Sequence, residues 1–448
     1  MGGNNEEFLV ASNIRVEIHH DPSAHIDRLL ELVNRSNQLN YTKQRFTKDE
    51  FESMLARDDT VCGYITARDK FGDHGICGFF AHDGKELNNF SFSCRILNMG
   101  IENWAYQTLG ALPLRIVGEV ATPLDSSIPI PWITAGNSDP DQKKAAAAPA
   151  EQRTGRVLLK GGCDLSVVVE HLGGSIQSEF SFPSSTGALV HQEHTEILKR
   201  ASEHTLTRYG QIIDKLPFLD RAAYKSAIID SPQQFDSVVY SALMDFTQGL
   251  YRYQDTDFVV PFGEYPIDAT KAVNQEVYMT RLSGVGYNRD FFDWFDENFH
   301  FEGMVSPDTV ASNIRWLREV LPDTVQLIII NGAEVESPSE AEQDRHQHHA
   351  DCNRALDKLI SEVPGIQLCD VRQVVTSTSD LTNNLRHYSR RSYFEISSRL
   401  SSLLAESNVR SKSHARFVAD ELVATANRAS RKLVRAAINL VSGKPTPK

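Results

Sequence analysis

The sequence lacks the features that mark several special classes of protein. No apolar run reaches about 18 residues, so no membrane-spanning helix is predicted. The first residues, MGGNNEEFLV, do not combine a basic start, an apolar stretch and a cleavage site, and we predict no secretory signal. The six cysteines form no CxxC pair, which disfavours both a disulfide scaffold and a structural zinc site. These absences favour a cytoplasmic protein that binds no metal.

Positive charge is scarce overall but concentrated near the C-terminus. The formal net charge of −13 argues against a nucleic-acid-binding surface. From Arg410 to Lys448, however, nine Lys and Arg stand against two Asp and Glu. Apolar residues recur there at spacings of three and four, which predicts a basic amphipathic helix over 410–440. Its apolar stripe either docks on the protein itself or attaches weakly to an anionic membrane surface.

Chains of this length, 448 residues, usually fold into several domains with separate hydrophobic cores, so we expect more than one domain. The clearest boundary is the polar stretch NSDPDQKKAAAAPAEQRT, which begins at Asn137. A stretch of this composition without apolar periodicity is typical of a linker. We therefore predict an N-terminal domain over 14–136, a linker over 137–155, a second domain over 156–405 and the basic helix over 410–440.

The N-terminal domain alternates strand and helix patterns. Ile14–His19 is predicted to be a strand, and His25–Ser36 a helix with one apolar face. Thr47 and Glu50 have the spacing of a capping box, which predicts that a second helix begins there. Three further strands, and then a helix that starts near Ile101, complete the predicted domain. The strands cover 61–68, 75–81 and 89–94.

Four segments of this domain resemble a known family. They are NRSNQLN at 34–40, RFT at 45–47, RDKFGDHG at 68–75 and SCRILNMGIE at 93–102. In this order they resemble the C-terminal part of FkbH-like proteins, and the resemblance implies a fold similar to that of GNAT acyltransferases. The phosphatase half of that family has no counterpart in this sequence.

The last of these segments predicts an anion site from its own residues. A strand that runs through Arg95 and Gly100 into a helix leaves backbone N–H groups free at the helix start. Those groups suit the pyrophosphate of CoA or of a phosphopantetheine arm, so Arg95 and Gly100 are candidate cofactor-binding residues. The alternative is an ordinary strand–turn–helix in which Gly100 only permits the turn.

The second domain opens with a motif that can present a nucleophile. The apolar run Arg156–Lys160 ends in Gly161-Gly162-Cys163 and is followed by a helical pattern. At such a junction in α/β enzymes, the helix dipole lowers the pKa of a thiol and backbone N–H groups can hold an oxyanion. Cys163 is therefore the candidate nucleophile. The alternative is a small buried side chain, the usual place of a free cysteine.

The segments that follow resemble those of SGNH hydrolases, with Cys163 in the position of the family's serine. The resemblance implies a flavodoxin-like three-layer fold with a mainly parallel sheet, and oxyanion donors from the backbone N–H groups of Cys163 and Gly187. It also implies that His387 is the general base and that Asn384 orients it. The family's oxyanion Asn block is replaced by a segment ending in Asp245. Further strands of the sheet are predicted over 175–182, 236–241, 325–330 and 367–371.

These features favour an enzyme that handles acyl groups. The leading hypothesis is an acyltransferase, or an acyl-ester or thioester hydrolase, in the synthesis of a natural product or surface glycan. The donor would be an acyl-CoA or a phosphopantetheine-linked acyl group, the acceptor a small molecule or glycan, and an acyl carrier protein a candidate partner. No tightly bound cofactor is required. The alternatives are a non-catalytic scaffold or carrier-docking module, and an enzyme in which only the GNAT-like domain acts.

Overall fold

The computed structural model describes residues 5–36, 38–118, 120–136, 155–172, 175–184, 186–263, 267–282, 285–339 and 342–406. The predicted linker falls outside these residues except for Gly155, and the predicted helix over 410–440 falls wholly outside them. The described chain is an α/β protein with two five-stranded sheets, one of them parallel throughout. None of its described helices is both long enough and apolar enough to cross a bilayer.

The N-terminal domain is built on a largely antiparallel sheet. Its strands are β1 (Ile14–His19), β2 (Val61–Asp69), β3 (Gly72–His82), β4 (Leu87–Phe92) and β5 (Ile133–Ala135). Its helices are α1 (Asn5–Ser12), α2 (Ile26–Arg35), α3 (Lys48–Leu55) and α4 (Ile101–Thr108). The strands lie in the order β4-β3-β2-β1-β5, and β5 runs parallel to β1. The predicted positions of β1 to β4 are confirmed to within a few residues, whereas the sequence pattern does not indicate β5.

Helix α3 begins at the predicted capping box. The Thr47 hydroxyl accepts a hydrogen bond from the Glu50 N–H at 3.3 Å, and the Glu50 carboxylate accepts one from the Thr47 N–H at 2.8 Å. The two bonds satisfy donors that a helix start otherwise leaves unpaired. The neighbouring helix α2 buries Leu29, Leu32 and Val33 on one face. The prediction of both helices is confirmed.

The second domain contains ten strands and ten helices that the structure describes, apart from short 3-10 turns. The strands are β6 (Arg156–Gly161), β7 (Ser175–Phe180), β8 (Phe182–Pro183), β9 (Leu189–Val190), β10 (Ser237–Ser241), β11 (Gly249–Tyr253), β12 (Val259–Phe262), β13 (Phe299–Met304), β14 (Gln326–Ile330) and β15 (Ile366–Cys369). The helices are α5 (Ser166–Glu170), α6 (Thr195–Lys199), α7 (Glu203–Ile213), α8 (Ala227–Asp230), α9 (Leu243–Thr247), α10 (Ala272–Arg281), α11 (Arg289–Asn298), α12 (Pro307–Val320), α13 (Arg345–Glu362) and α14 (390–406).

Five of these strands form the parallel sheet, in the order β15-β14-β10-β6-β7. Every residue of the central strand β10 is buried, because a parallel sheet is covered by helices on both faces. The chain leaves β6 towards β7 on one side and later returns to β10 on the other side. The connections therefore diverge between β6 and β10, and in open parallel sheets ligands bind beyond the carboxyl ends of strands at such a point.

A small subdomain is inserted between β10 and β14. It consists of the antiparallel sheet β12-β11-β13 with helices α10 and α11, and we call it the cap. Its interior is mainly aromatic: Phe262 stacks on Phe218 with ring centroids 4.0 Å apart, and Phe295 and Tyr251 pack beside them. The cap shares this hydrophobic cluster with residues 188–224, which precede β10, and the two parts together form a wall above the sheet edge. The sequence pattern does not predict the cap.

The two domains share a hydrophobic core and a buried group of charges. Ile96 and Met99 from the segment before α4 belong to the same buried cluster as Leu165, Tyr393 and Ile396 of the second domain. This continuous packing makes the described domains depend on one another, because neither could expose that surface without a loss of hydrophobic stabilisation.

We call the buried charges the interdomain charge cluster; it comprises Asp69, His74, Arg95, Glu170 and Arg390. The His74 ring lies 3.2 Å from the Asp69 carboxylate and 3.0 Å from that of Glu170. Burial alone would lower the pKa of His74, but its hydrogen bonds to the two carboxylates outweigh this effect and raise it to about 9. The ring is therefore protonated at neutral pH and joins carboxylates from both domains.

Candidate functional site

A cavity of about 400 Å³ lies where the strand connections diverge. Gly162 lines it directly after β6, Ser241 at the end of β10 and Asn331 directly after β14. The carboxyl ends of three parallel strands thus form its floor, and the cap closes one side. A site of this size and position suits a small molecule or one end of a larger substrate.

The turn that carries Cys163 lies on this floor. Strand β6 ends at Gly161, and residues Cys163–Leu165 form a single 3-10 turn that leads into α5. The two glycines let the following side chains pack closely on the backbone: a Cβ on Gly162 would come within 2.3 Å of Asp164 Oδ1, and one on Gly161 within 2.5 Å of the Leu165 side chain. Gly162 and Asp164 both line the cavity, whereas the side chain of Cys163 lies outside what the structure describes. The structure confirms the predicted strand–turn–helix, and the nucleophilic role of Cys163 stays a prediction.

His387 borders the same cavity from the turn before α14. Its Nδ1 lies 3.0 Å from Asn383 Oδ1, and its Nε2 lies 3.0 Å from the side-chain nitrogen of Gln38. The Asn383 oxygen can only accept and the Gln38 nitrogen can only donate, so this arrangement corresponds to the neutral ring protonated at Nδ1. Gln38 belongs to the N-terminal domain, which therefore completes the site.

The assignment of Asn384 as the orienting partner of His387 needs correction. The Asn384 side chain is buried, and its Oδ1 accepts the backbone N–H of Arg386 at 2.9 Å. That bond stabilises the local turn, so the Asn384 oxygen is not the acceptor for the His387 ring. Asn383, one position earlier, holds Nδ1 instead. The sequence contains both asparagines side by side, and only the backbone conformation of the turn distinguishes them.

We predict separable effects for the two asparagines. Asn383→Ala should slow any reaction that uses His387 as a base about tenfold, because the ring loses the acceptor that fixes its tautomer, and should leave the free energy of unfolding nearly unchanged. Asn384→Ala should lower the free energy of unfolding by about 1 kcal/mol, because a turn hydrogen bond is lost. Urea unfolding and the rate of the reaction in which His387 takes part, measured on both variants, test this. A slow Asn384→Ala enzyme beside a normal Asn383→Ala enzyme would restore the original assignment.

The predicted oxyanion role of Gly187 also needs correction. Gly187 lines the cavity and has a φ of 86°, which favours glycine. Its N–H, however, already donates to the Ser184 carbonyl at 2.9 Å in a tight turn. An oxyanion at this position would have to replace that bond. Of the two predicted donors, only the Cys163 N–H stays a candidate.

Several polar residues of the cavity are not indicated by any motif. Asp164 is buried and its Oδ2 accepts the Tyr393 hydroxyl at 2.7 Å; burial raises the pKa of the carboxyl to about 6. Glu193 is also buried, and its Oε1 accepts from His191 Nδ1 at 2.9 Å. Asp164 sits beside the predicted nucleophile and is a direct neighbour in sequence, which is the one signal that could have identified it. His191 and Glu193 lie between a two-residue strand and a short helix, where no periodic pattern marks them.

The other half of the cavity is apolar. Phe262 and Val277 from the cap, with Phe218, Leu219, Leu282 and Val285, line it. A polar floor beside an apolar wall suits a molecule with one polar end and one hydrocarbon end. An acyl ester or thioester has this character.

Arg95 and Gly100 lie elsewhere, at the boundary between the domains. The Arg95 guanidinium lies 3.2 Å from the Ser93 hydroxyl and 3.5 Å from the Glu170 carboxylate. A Cβ on Gly100 would come within 3.3 Å of the Trp132 ring, whose N–H donates to the Met99 carbonyl. Neither Arg95 nor Gly100 is among the described residues that line the cavity. Binding of a pyrophosphate at this loop therefore stays a prediction. The Arg95 side chain that would bind it is already paired with Ser93 and Glu170.

Glu102, at the start of α4, should make the free energy of unfolding depend on pH. Its carboxyl group is buried, and burial raises its pKa from 4.5 to about 7. The folded chain therefore retains this proton more strongly than the unfolded chain, and the free energy of unfolding falls as the pH rises from about 4.5 to about 7. Glu102→Gln should raise the free energy of unfolding by about 1–3 kcal/mol at pH 8 and leave it unchanged at pH 4. Urea unfolding at both pH values, with the exposed Glu86→Gln as control, checks this; an equal effect at the two pH values would contradict it.

Compared with known proteins, the chain matches no protein-family model and no curated protein. No group of three or more His, Cys, Asp or Glu side chains suited to a metal ion occurs in the described part of the chain. Its function therefore has to be inferred from the geometry of the cavity.

Proposed function

We propose that the chain is an acyl-handling enzyme, an acyltransferase or an acyl-ester or thioester hydrolase, with Cys163 as nucleophile and His387 as general base. One observation carries the proposal. The turn around Cys163 and the turn around His387 are more than 200 residues apart in sequence, yet both border one cavity at the carboxyl ends of a parallel sheet. Active sites of open α/β sheets are found in this position.

The chemistry follows from these two groups. His387 Nε2 accepts the proton of the Cys163 thiol, and the sulfur attacks the acyl carbonyl to form a tetrahedral intermediate. When the intermediate collapses, the leaving thiol or alcohol takes the proton from Nε2 and the acyl group stays on the sulfur. Water or an acceptor hydroxyl or amine then attacks this thioester, with His387 again as base. For the first step, Nε2 must exchange its hydrogen bond from Gln38 for one from the thiol.

Three structural features support this proposal over a general α/β fold. The strand order with β7 beside β6 at one edge is that of the flavodoxin-like arrangement expected for an SGNH-type domain. The antiparallel order of β1 to β4, with two helices between β1 and β2, agrees with the first half of a GNAT-type domain. The apolar wall of the cavity accommodates the hydrocarbon part of an acyl group.

A non-catalytic scaffold or carrier-docking module is the second candidate. It is favoured by the Gln38 hydrogen bond on His387 Nε2 and by the engaged N–H of Gly187, because both occupy groups that catalysis requires. Under this proposal the cavity would bind a ligand without converting it.

Release of free thiol from acyl thioesters distinguishes the two candidates. The full chain is incubated with acyl-CoA and acyl-phosphopantetheine compounds of increasing chain length, with and without hydroxyl and amine acceptors. The enzyme proposal predicts thiol release that falls at least about 100-fold in His387→Ala. The exposed His204→Ala serves as the control and should match the unmodified chain. No thiol release from any donor would favour the scaffold, whereas release unaffected by His387→Ala would contradict the role of His387 as general base.

A further inference from the structure

Four buried side-chain oxygen atoms of the cavity residues have no hydrogen-bond partner among the described residues; one is the Tyr388 hydroxyl, which can donate or accept, and the other three can only accept. These three are Oε1 of Gln38, Oε2 of Glu193 and Oε1 of Gln248. All three residues line the cavity, and they come from the N-terminal domain, from the segment after β9 and from the segment after α9. Glu193 is fully buried and Gln248 is 6% exposed, so bulk solvent does not reach their side chains.

Such oxygens are rare in folded proteins, because an acceptor removed from water without a donor destabilises the folded state. Each one is expected to have a compensating role. Where three residues that line one cavity carry such oxygens, a ligand that brings several O–H or N–H donors would compensate them. A ligand composed only of acceptors, such as a ketone or an ester, would leave all three unsatisfied.

The charged groups around the cavity further restrict the chemical class of the ligand. Glu193 and Asp164 place two carboxyl groups at the polar floor. His191 donates to the other oxygen of Glu193, and Lys43 and Arg386 also line the cavity. Because the three oxygens are acceptors and one of them belongs to a carboxyl group, they favour a ligand group that donates hydrogen bonds over a phosphate or carboxylate at the same place.

We propose that the acceptor substrate presents a compact ring with several hydroxyl or amine donors, such as a sugar-like polyol or amino polyol, to Gln38, Glu193 and Gln248. This inference rests on the proposed function, since it names the molecule that attacks the acylated enzyme. The donor groups of the ring fill the polar floor, and the acyl group lies along the apolar wall formed by Phe262 and Val285. The attacking hydroxyl or amine is one of the donors of the ring, and its proton passes to His387.

Saturation-transfer NMR with the full chain tests this without any acyl step. The probes are methyl glucoside, methyl glucosaminide, glucose 6-phosphate and the donor-free ring methoxycyclohexane. We expect the glucoside or the glucosaminide to bind at least about tenfold more tightly than methoxycyclohexane and than the phosphate. A preference for the glucosaminide identifies an amine as a donor, and equal binding identifies hydroxyl groups alone.

Variants show whether the three oxygens make this contact. Glu193→Gln keeps an oxygen for His191 but turns an N–H group towards the ligand, and Gln248→Met removes the acceptor at nearly constant volume. Each should weaken binding of the preferred probe about tenfold, whereas the exposed Gln234→Met should not. Unfolding midpoints of all three variants show whether the fold is kept. Binding of methoxycyclohexane as tight as that of the sugars, or unchanged affinity in both cavity variants, would overturn the inference.

The two proposals can fail independently. Sugar binding that depends on Glu193 and Gln248, without thiol release from any donor, would keep the ligand class and remove the acyl chemistry. Thiol release without sugar binding would keep the acyl chemistry and remove the ligand class.

Discussion

Replacing Cys163 by alanine is expected to lower the rate of acyl transfer or thioester hydrolysis at least about 1,000-fold. Without the thiol, the acyl group has no atom on the enzyme to which it can be transferred, and only binding and polarisation of the substrate remain. Cys163→Ser should retain a small part of the rate, because a hydroxyl is a weaker nucleophile than a thiol. The rate is measured as steady-state release of free thiol by the unmodified chain, Cys163→Ala and Cys163→Ser.

Cys94→Ala is the matched control for this experiment. Cys94 is the one described cysteine that is only partly buried, and it lies outside the set of described residues that line the cavity. Its replacement should leave the rate within about twofold of the unmodified chain. A Cys163→Ala protein that keeps its full rate would assign the chemistry to another residue, and Asp164 on the same turn would be the next candidate.

The second large effect concerns stability and the interdomain charge cluster. Arg390→Leu is expected to lower the free energy of unfolding by about 3 kcal/mol. The Arg390 side chain is 3% exposed; it donates to the Arg95 carbonyl at 2.7 Å and lies 3.7 Å from the Glu170 carboxylate. Leucine would leave that carbonyl without its donor and would remove a positive charge from a site that water cannot reach. Urea unfolding at neutral pH measures the loss.

The neighbouring residue supplies the control. Arg391 is partly exposed and forms an ion pair with Glu395 at 2.8 Å along the same helix. Such pairs contribute less than about 1 kcal/mol, so Arg391→Leu should change the free energy of unfolding by no more than that. Equal losses in the two variants would mean that the cluster does not hold the domains together and that both arginines contribute through packing alone.

The sequence predicts well those elements whose pattern is local. Strand β10 and strand β14 are short apolar runs, and helix α3 is marked by the Thr47–Glu50 capping box. Each of these is decided by residues within a few positions of one another, so its prediction needs no knowledge of the rest of the fold. The turn at Gly161-Gly162 belongs to the same class, because the two glycines and the side chains that pack on them, Asp164 and Leu165, are within four positions of one another.

The parts that could not be predicted depend on contacts between distant segments. Strand β5 has only three residues and is defined by its pairing with β1. The aromatic residues of the cap have no clear period, because they pack against one another from several short elements. The hydrogen bond between Gln38 and His387 spans 349 positions, and no pattern in either segment indicates it. The choice between Asn383 and Asn384 depends on one backbone turn.

Intact-protein mass spectrometry shows directly whether Cys163 carries the acyl group during the reaction. The full chain is mixed with an acyl thioester, quenched in acid within seconds, and digested to locate the added mass. We expect one acyl group per chain, on the peptide that contains Cys163, absent from Cys163→Ala and slower to appear in His387→Ala. An acyl group found on a different residue, or an equal yield of adduct in Cys163→Ala, would contradict this expectation.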